Sequence, residues 1–284
     1  MSILQLSGGS ILRLIRLFGI YLLLLFGAVL FTAPFLWMLS TSLKTPELVF
    51  THPPQFIPNP VQFRNYMEGW QRLPFTRFTL NTVIITSHNA IMDTLVSAIV
   101  GFSFARLRAP GKDYLFVLVL ATMMVPYEVT RVPLYILFSR LGWVNTLLPL
   151  MIPTWFGWPF FIFLLRQFFT TIPYDLDDAA RMDGCHSFRI FVQILIPLSK
   201  PALAAVAIFS FVSNWNDFQG PLIYLSDLNQ YTLALGLRMM QGGRFIFIHQ
   251  VMAVSIVSVL PLLLIFFSAQ RYFIRGVTLS GIKA

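Results

Sequence analysis

The chain has 284 residues, of which 57% are hydrophobic and only 11% charged, and its mean hydropathy is +0.74. Soluble domains carry about 25% charged residues, so this composition excludes an ordinary soluble protein and predicts a protein of the lipid bilayer. The formal net charge of +9 is scattered between apolar runs and forms no basic stripe, which argues against nucleic-acid binding and favours charges that orient membrane spans.

The first predicted element is an apolar run over about residues 15–39. A cleaved signal peptide is the alternative interpretation, because Arg13 and Arg16 precede or open the run. The run is longer than the apolar part of a signal peptide, which favours a retained span. A polar, proline-bearing stretch from Ser40 to about Arg77 follows and cannot span. Residues 1–77 are therefore predicted to form an N-terminal span with an extracytoplasmic segment.

Five further apolar runs fill residues 78–284, which are predicted to form the core domain. Each is close to the roughly 20 residues that a helix needs to cross the hydrocarbon core. Their expected bounds are about Phe78–Ala105, Tyr114–Phe138, Leu147–Phe168, Pro201–Phe218 and Val251–Tyr272. The chain is thus predicted to be all-α, with six transmembrane helices.

Polar residues within the second and third runs have two interpretations. Asn89 and Asp93 belong to a polar cluster in the second run, and a charge at mid-membrane usually faces the inside of a helix bundle. This face either lines a translocation pathway or forms an interhelical hydrogen bond or ion pair. In the third run, Glu128 and Arg131 are three residues apart and are expected to pair with each other or with a neighbour.

Tryptophan and asparagine side chains near the fourth and fifth runs suit a sugar, because apolar sugar faces stack on rings while hydroxyl groups need polar partners. Tryptophans near the ends of spans are also common interfacial anchors, and that alternative stays open. The candidates for a substrate pathway are Asn89, Asp93, Trp155, Trp158, Asn214, Trp215 and Asn216.

Lysine and arginine near the ends of the runs predict the orientation of the chain. The short loop after the second run holds Arg106, Arg108 and Lys112, whereas the tight turn around Gly142 has only Arg140. Both termini and the loop at about residues 173–197 are therefore expected in the cytoplasm, with residues 40–77 on the outside.

No catalytic motif is found in the sequence. The Gly111-Lys112 pair lacks the upstream glycine and the following Ser or Thr of a phosphate-binding loop. The four histidines lie in different segments, and Cys185 is the sole cysteine, so neither a metal site nor an internal disulfide is expected. The chain is predicted not to be an enzyme.

The most informative stretch is the loop between the fourth and fifth runs. It reads Asp178-Ala179-Ala180-Arg181-Met182-Asp183-Gly184 and, after nine intervening residues, Ile194-Leu195-Ile196-Pro197. This spacing resembles the Glu-Ala-Ala, Gly and Ile-x-Leu-Pro pattern of permease subunits in ATP-binding-cassette (ABC) importers. Asp178 replaces the usual Glu and Ile196 the usual Leu. An amphipathic connector without a docking role is the alternative.

Further segments are similar to the carbohydrate-uptake, maltose-type branch of these permeases. They are Met124-Val125-Pro126, Leu141-Gly142-Trp143-Val144-Asn145-Thr146, Asn214-Trp215-Asn216-Asp217-Phe218 and Gln270-Arg271-Tyr272-Phe273. Lys283 belongs to a looser match at the C-terminus.

The resemblance implies a type I ABC importer permease fold in the bacterial inner membrane, with a cytoplasmic coupling helix. The implied partners are a second homologous permease in a heterodimer, two ATPase subunits that bind ATP and Mg, an extracytoplasmic solute-binding protein, a carbohydrate substrate and membrane lipid. No cofactor is expected in this chain. A self-sufficient secondary transporter or channel is the alternative, which would need an ion-coupling site and usually two repeated halves.

The expected coupling residues are Asp178, Ala179, Ala180, Asp183, Gly184, Ile194 and Pro197. Ala180 and Gly184 are four apart, so on a continuous helix they would share a face narrow enough for a partner backbone. Met182 is two positions from each and is expected to point away from that face.

Overall fold

A computed structural model describes residues 8–242 and 246–281. Fourteen α-helices fall within these ranges: α1 (Gly8–Ser42), α2 (Arg64–Arg72), α3 (Phe75–Arg106), α4 (Lys112–Ala121), α5 (Tyr127–Arg140), α6 (Leu148–Met151), α7 (Pro159–Thr171), α8 (Asp175–Met182), α9 (Ser187–Ile190), α10 (Ile196–Leu198), α11 (Lys200–Trp215), α12 (Gln219–Tyr224), α13 (Leu233–Gln241) and α14 (Ile248–Gly281). The described ranges contain no β-strand. The all-α prediction is confirmed. Lys283 lies outside the described residues.

Four helical segments are long and apolar enough to cross a membrane, and two bent helix pairs raise the number to six if each pair is one span. The four are Arg13–Ser42, Phe75–Arg106, Leu148–Thr171 and Ile248–Ser268, and the pairs are Lys112–Met124 with Tyr127–Arg140 and Ser187–Leu198 with Lys200–Trp215. These segments overlap the six runs expected from hydropathy, although the first helix of the second pair, Ser187–Leu198, falls in the segment expected to be a loop.

The third span differs from the continuous helix that hydropathy suggested, because a bend interrupts it, and a second bend directly precedes the predicted fifth run. The chain bends by 95° between Met124 and Tyr127, and by 80° between Leu198 and Lys200. Proline has no amide hydrogen and excludes the helical conformation of the residue before it, so Pro126 accounts for the first break. Pro201 stands in the first turn of α11, where a proline is tolerated, and thus permits a new helix after the second break.

The chain divides into two compact units. One unit holds residues 1–72 and 240–257, and the other holds residues 73–239 and 258–284. The expected division by function, with a core domain at residues 78–284, stays a prediction.

In the smaller unit, the side chain of Asn65 joins α2 to the segment that follows α1. Its amide nitrogen donates to the carbonyl oxygens of Ser42 and Lys44, both at 2.8 Å. The Lys44 side chain is buried, and its ammonium lies 4.1 Å from the centre of the Trp37 ring. Among the described residues the Lys44 Nζ atom has no hydrogen-bond partner, and its burial lowers the pKa of the Lys44 ammonium.

The core of the larger unit is built on α3, α7 and α11, together with the loop around α8. Its buried apolar side chains are Ala98, Phe102, Ala105, Phe161, Leu165, Phe169, Ile172, Ala180, Ile190, Phe191, Leu195, Ala202 and Val206. This list joins residues of the spans α3, α7 and α11 to residues 180–195 of the loop. The loop is therefore packed onto the ends of the spans and is held in one place.

Candidate functional site

The α8 helix forms the first part of the candidate coupling loop. Its first turn contains Asp175, Asp177 and Asp178, whose carboxylates face the positive end of the helix dipole. Asp178 and Arg181 form an exposed ion pair on one side of the helix at 3.1 Å. Asp177 points the other way and is fully buried. The short helix expected here is present, and its acidic start stabilises it.

Gly184 ends α8 in a left-handed turn. Its φ angle is +78°, a conformation that side chains with a Cβ atom rarely adopt. The Cys185 amide donates to the Ala180 carbonyl at 2.9 Å, and the Gly184 amide donates to the Arg181 carbonyl at 3.0 Å. These two bonds form the Schellman motif, which satisfies carbonyl groups at the end of a helix. Gly184 therefore follows the helix and does not lie on its face.

The expected helical face shared by Ala180 and Gly184 is not formed. Ala180 is only 8% exposed and packs into the core of its own chain, so it is not open to a partner. Met182 is 88% exposed, whereas the sequence analysis expected it to point away from the contact face. The exposed apolar side chains of α8 are Leu176, Ala179 and Met182. Met182 points away from the two buried residues, Asp177 and Ala180, whereas Leu176 is four residues from Ala180 and borders the buried side.

The other expected coupling residues have mixed surroundings. Asp183 is exposed and caps the end of α8. Ile194 is half-buried in a π-helical turn over Phe191–Leu195, and Pro197 is exposed in α10. The role of these residues in coupling stays a prediction.

A cavity of about 460 Å³ in the larger unit forms the second part of the site. Four of the seven predicted pathway residues line it, namely Asn89, Asp93, Trp158 and Asn214. Further polar and aromatic lining comes from Tyr127, Glu128, Thr154, Asp217, Gln219 and Tyr224. The lining combines hydrogen-bonding groups with ring faces, as a site for a hydroxyl-rich solute requires.

Hydrogen bonds fix Asn89 on the cavity wall. Its amide nitrogen donates to the Leu150 carbonyl at 2.8 Å and to the Asn214 Oδ1 atom at 2.6 Å. Its own Oδ1 atom lies 2.9 Å from the Nδ1 atom of His88. These bonds join α3 to α11 and to the short α6 helix, so the amides of Asn89 and Asn214 are held in place.

Asp93 forms the interhelical hydrogen bond that was one interpretation of the second span, and a role in a translocation pathway stays a prediction. Its Oδ2 atom accepts a hydrogen bond of 2.6 Å from Ser210 on α11, which is an interhelical contact. The same side chain lines the cavity, and its Oδ1 atom is buried without a hydrogen-bond partner among the described residues. Asp93 therefore holds two helices together and leaves one acceptor oxygen at the cavity.

The other three predicted pathway residues do not line this cavity. Trp155 stacks on His88, and its indole nitrogen is 2.9 Å from the His88 Nε2 atom. Trp215 is 5% exposed, and its indole donates to the Ser258 carbonyl at 3.1 Å, so it packs within the unit. Asn216 is exposed and donates to the Val212 carbonyl at 2.8 Å.

The expected pair of Glu128 and Arg131 is confirmed. Their charged atoms are 3.6 Å apart, and Arg131 also donates to the Gln219 Oε1 atom at 2.7 Å. Arg131 thus links α5 to α12, two elements that contribute residues to the cavity wall. Among the described residues there is no group of three or more His, Cys, Asp or Glu that could hold a metal ion.

Comparison with known proteins identifies the family. Residues 94–279 match the binding-protein-dependent transport system inner membrane component family, a match that includes most of the cavity residues and the α8 loop. The chain belongs to this family. It is accordingly a permease subunit and a multi-pass protein of the inner membrane.

Individual relatives agree with this assignment. The permease is 35% identical over 206 residues to an arabinooligosaccharides transport system permease protein of Halalkalibacterium halodurans, covering 72% of each chain. It is 32% identical over 252 residues to a melibiose/raffinose/stachyose import permease protein of Bacillus subtilis, covering 88% of this chain and 91% of the relative.

The fold is also found in a solved structure. The permease superimposes with a TM-score of 0.80 on a chain of a bacterial ABC transporter involved in the import of the acidic polysaccharide alginate, at 22% identity and with 91% and 97% of the two chains covered. This likeness confirms the type I ABC importer permease fold.

Sequence reasoning missed several residues of the site. Thr154 and Tyr224 line the cavity where the chain is broken near Phe156 and again after Trp215. The signal that could have found them is the cluster of prolines and glycines around the fourth and fifth spans, which predicts broken helices. Met182 lies opposite Ala180 as expected, and which of the two sides of α8 meets a partner stays a prediction.

Proposed function

We propose that this permease forms half of the translocation pathway of an ATP-driven sugar importer and couples to ATP hydrolysis through α8. The observation that carries the proposal is the exposed side of a short helix whose opposite side is fixed in the core. Ala180 anchors α8 from within, while Leu176, Ala179 and Met182 are free to contact another subunit. Because its buried side is fixed, α8 can pass a movement of the docked subunit on to the spans without sliding over them.

The proposed partners are a second homologous permease, two ATPase subunits and an extracytoplasmic solute-binding protein. ATP and Mg bind to the ATPase subunits, and this chain performs no catalysis. Such partners are those of an ABC importer, whose fold the chain shares. The bias of lysine and arginine in the short loops supports a cytoplasmic location for both termini and the α8 loop.

The proposed substrate class is a neutral carbohydrate. Relatives over most of the chain are named for arabinooligosaccharides and for melibiose, raffinose and stachyose. The cavity supports a hydroxyl-rich solute through Asn89, Thr154 and Asn214 and through the ring of Trp158. Three carboxyl side chains also line it, those of Asp93, Glu128 and Asp217. Carboxylates in a low-dielectric wall disfavour an anionic solute.

The docking proposal is tested on the assembled transporter with Met182→Asp. A carboxylate in the centre of an apolar contact has to lose its water without gaining a partner, so the ATPase subunits should no longer co-purify. The control is Met67→Asp, which makes the same change at an exposed methionine of α2. Normal co-purification in Met182→Asp would refute α8 as the docking surface.

The pathway proposal is tested separately with Ser213→Trp. Ser213 lines the cavity on α11, and a bulky ring there should block the cavity without touching α8. We expect the complex to assemble but uptake of the test sugars, melibiose and raffinose, to stop. Uptake that persists without the ATPase subunits and follows a proton or sodium gradient would favour a secondary transporter.

A further inference from the structure

A buried ion pair joins the end of α3 to the beginning of α8. Arg106 is the last residue of α3, and its Nε atom lies 3.6 Å from the Oδ2 atom of Asp177. Both side chains are only 1% exposed. Burying a charged group is unfavourable unless an opposite charge lies beside it, so each of these two side chains requires the other.

Arg106 contacts three successive parts of the connection from α7 to α8. Besides Asp177, its Nη2 atom donates to the Ile172 carbonyl at 2.7 Å, and its guanidinium lies 4.1 Å from the centre of the Tyr174 ring. In return, the Tyr174 hydroxyl donates to the Ala105 carbonyl at 2.9 Å. The last turn of α3 and the first turn of α8 are thus joined from both sides. We call Arg106, Tyr174 and Asp177 the clamp.

The clamp does not have the geometry of a contact that serves stability alone. Two of the nitrogens of Arg106 and both oxygens of Asp177 are buried without a hydrogen bond among the described residues. Charged hydrogen bonds of full strength measure about 2.7–2.9 Å, which is shorter than the 3.6 Å of this pair. Replacing buried ion pairs by apolar side chains is often neutral or stabilising. The pair is better explained by its position than by its contribution to stability.

Helix α3 is a rigid connection from the clamp to the cavity. At Gly101 the backbone of α7 approaches so closely that an added Cβ atom would lie 3.1 Å from the Arg166 nitrogen and 3.2 Å from the Ile162 oxygen. The two helices therefore cannot slide past each other easily. Thirteen residues separate Asp93 from Arg106 on α3, a distance of about 20 Å along a helix at about 1.5 Å per residue. Asp93 lines the cavity.

We propose that the clamp of Arg106, Tyr174 and Asp177 is the positioning contact through which movement of α8 reaches the cavity along α3. The inference rests on the proposed docking of ATPase subunits to α8. Arg106 acts through Asp177 and Tyr174 and touches no solute. Without the clamp, α8 can move with its ATPase partner while α3 stays behind.

The test uses the complete transporter and a reporter cysteine in the cavity. Ser213→Cys is introduced after Cys185→Ser, and its labelling rate with an impermeant maleimide is measured with and without ATP and vanadate. We expect vanadate trapping to change the labelling rate several-fold in the parent. With Arg106→Gln, the ATPase subunits should still co-purify and trap nucleotide, but the change in labelling should be lost.

Three further variants separate positioning from simple stability. Arg106→Lys should restore part of the response, because an ammonium can pair with Asp177 but cannot also reach the Ile172 carbonyl. Lys112→Gln is the control, since among the described residues the Lys112 ammonium donates to the nearby Leu107 carbonyl at 3.0 Å and not to the clamp. It should keep the full response. Tyr174→Phe removes only the hydroxyl of a half-exposed ring and should weaken the response even if Arg106→Gln fails to accumulate.

The outcomes distinguish the two proposals. A full trapping response in both Arg106→Gln and Tyr174→Phe would overturn the clamp and leave docking at α8 intact. A parent complex without ATPase subunits would refute the docking proposal, and the clamp with it.

Discussion

The left-handed turn at Gly184 gives a prediction whose magnitude follows from the structure. An added Cβ atom at Gly184 meets nothing within 4 Å, so Gly184→Ala causes no clash. Its cost is conformational, because a residue with a Cβ atom loses roughly 1–2 kcal/mol in this conformation. This energy destabilises the closed form of the Schellman motif. A destabilisation of about 1–2 kcal/mol raises the equilibrium constant for local opening of the motif by a factor of about 5–30.

Hydrogen exchange measures this opening directly. The Cys185 amide donates to the Ala180 carbonyl at 2.9 Å, so its exchange rate should rise by about 5–30-fold in Gly184→Ala. Gly111→Ala is the matched control, since Gly111 has a φ angle of +76° and equally open surroundings. It should loosen its own turn and leave Cys185 unchanged. An unchanged exchange rate at Cys185 in Gly184→Ala would refute the assignment of Gly184 as the conformational stop of α8.

Three other predictions follow from packing, charge and topology. Gly101→Val should lower the stability of the purified permease by about 1–3 kcal/mol in thermal unfolding, because the α7 backbone leaves no room, whereas Gly19→Val should have little effect since its surroundings are open. Lys44→Met should raise the melting temperature at pH 7. Because burial lowers the pKa of Lys44, the unfolded chain still holds the ammonium proton at pH values where the folded chain has released it. The stability of the parent should therefore rise as the pH approaches 10.5, and the difference in melting temperature between Lys44→Met and the parent should shrink. A difference that stays constant with pH would contradict the burial argument. Finally, an impermeant thiol reagent added to intact cells should label Thr51→Cys and not Ser187→Cys, in a background without the native cysteine, and the reverse would invert the topology.

Hydropathy and one short motif were enough to predict where the long apolar helices lie and the family. Both signals are local: a run of about 20 apolar residues needs no knowledge of its neighbours, and the spacing from Asp178 to Pro197 is read along the chain. The short helix after Pro173 was predictable for the same reason, because its acidic start and the glycine at its end act on the helix itself.

Helix breaks were predictable only in part. Pro126 stands at the 95° bend of the third span, but a proline does not by itself tell how far a helix turns. The bend decides that Tyr127 and Glu128 reach the cavity. The residues that line the cavity therefore could not be predicted from the hydropathy profile, because they depend on how the chain bends.

The direction in which a side chain points was decided by tertiary packing. The sequence of the α8 loop determined that Ala180 and Met182 lie on different sides of a helix, but not which side would meet the core. Phe169, Phe191 and Leu195 pack with Ala180 and thereby leave Met182 in solvent. In the same way, the Ser258 carbonyl binds Trp215 within the unit, although its residue type and place near the end of a span suited a sugar contact. The sequence alone determined which residues share a helix, because that depends on spacing; the burial of each face depends on distant parts of the chain, and only the tertiary structure brings those parts together.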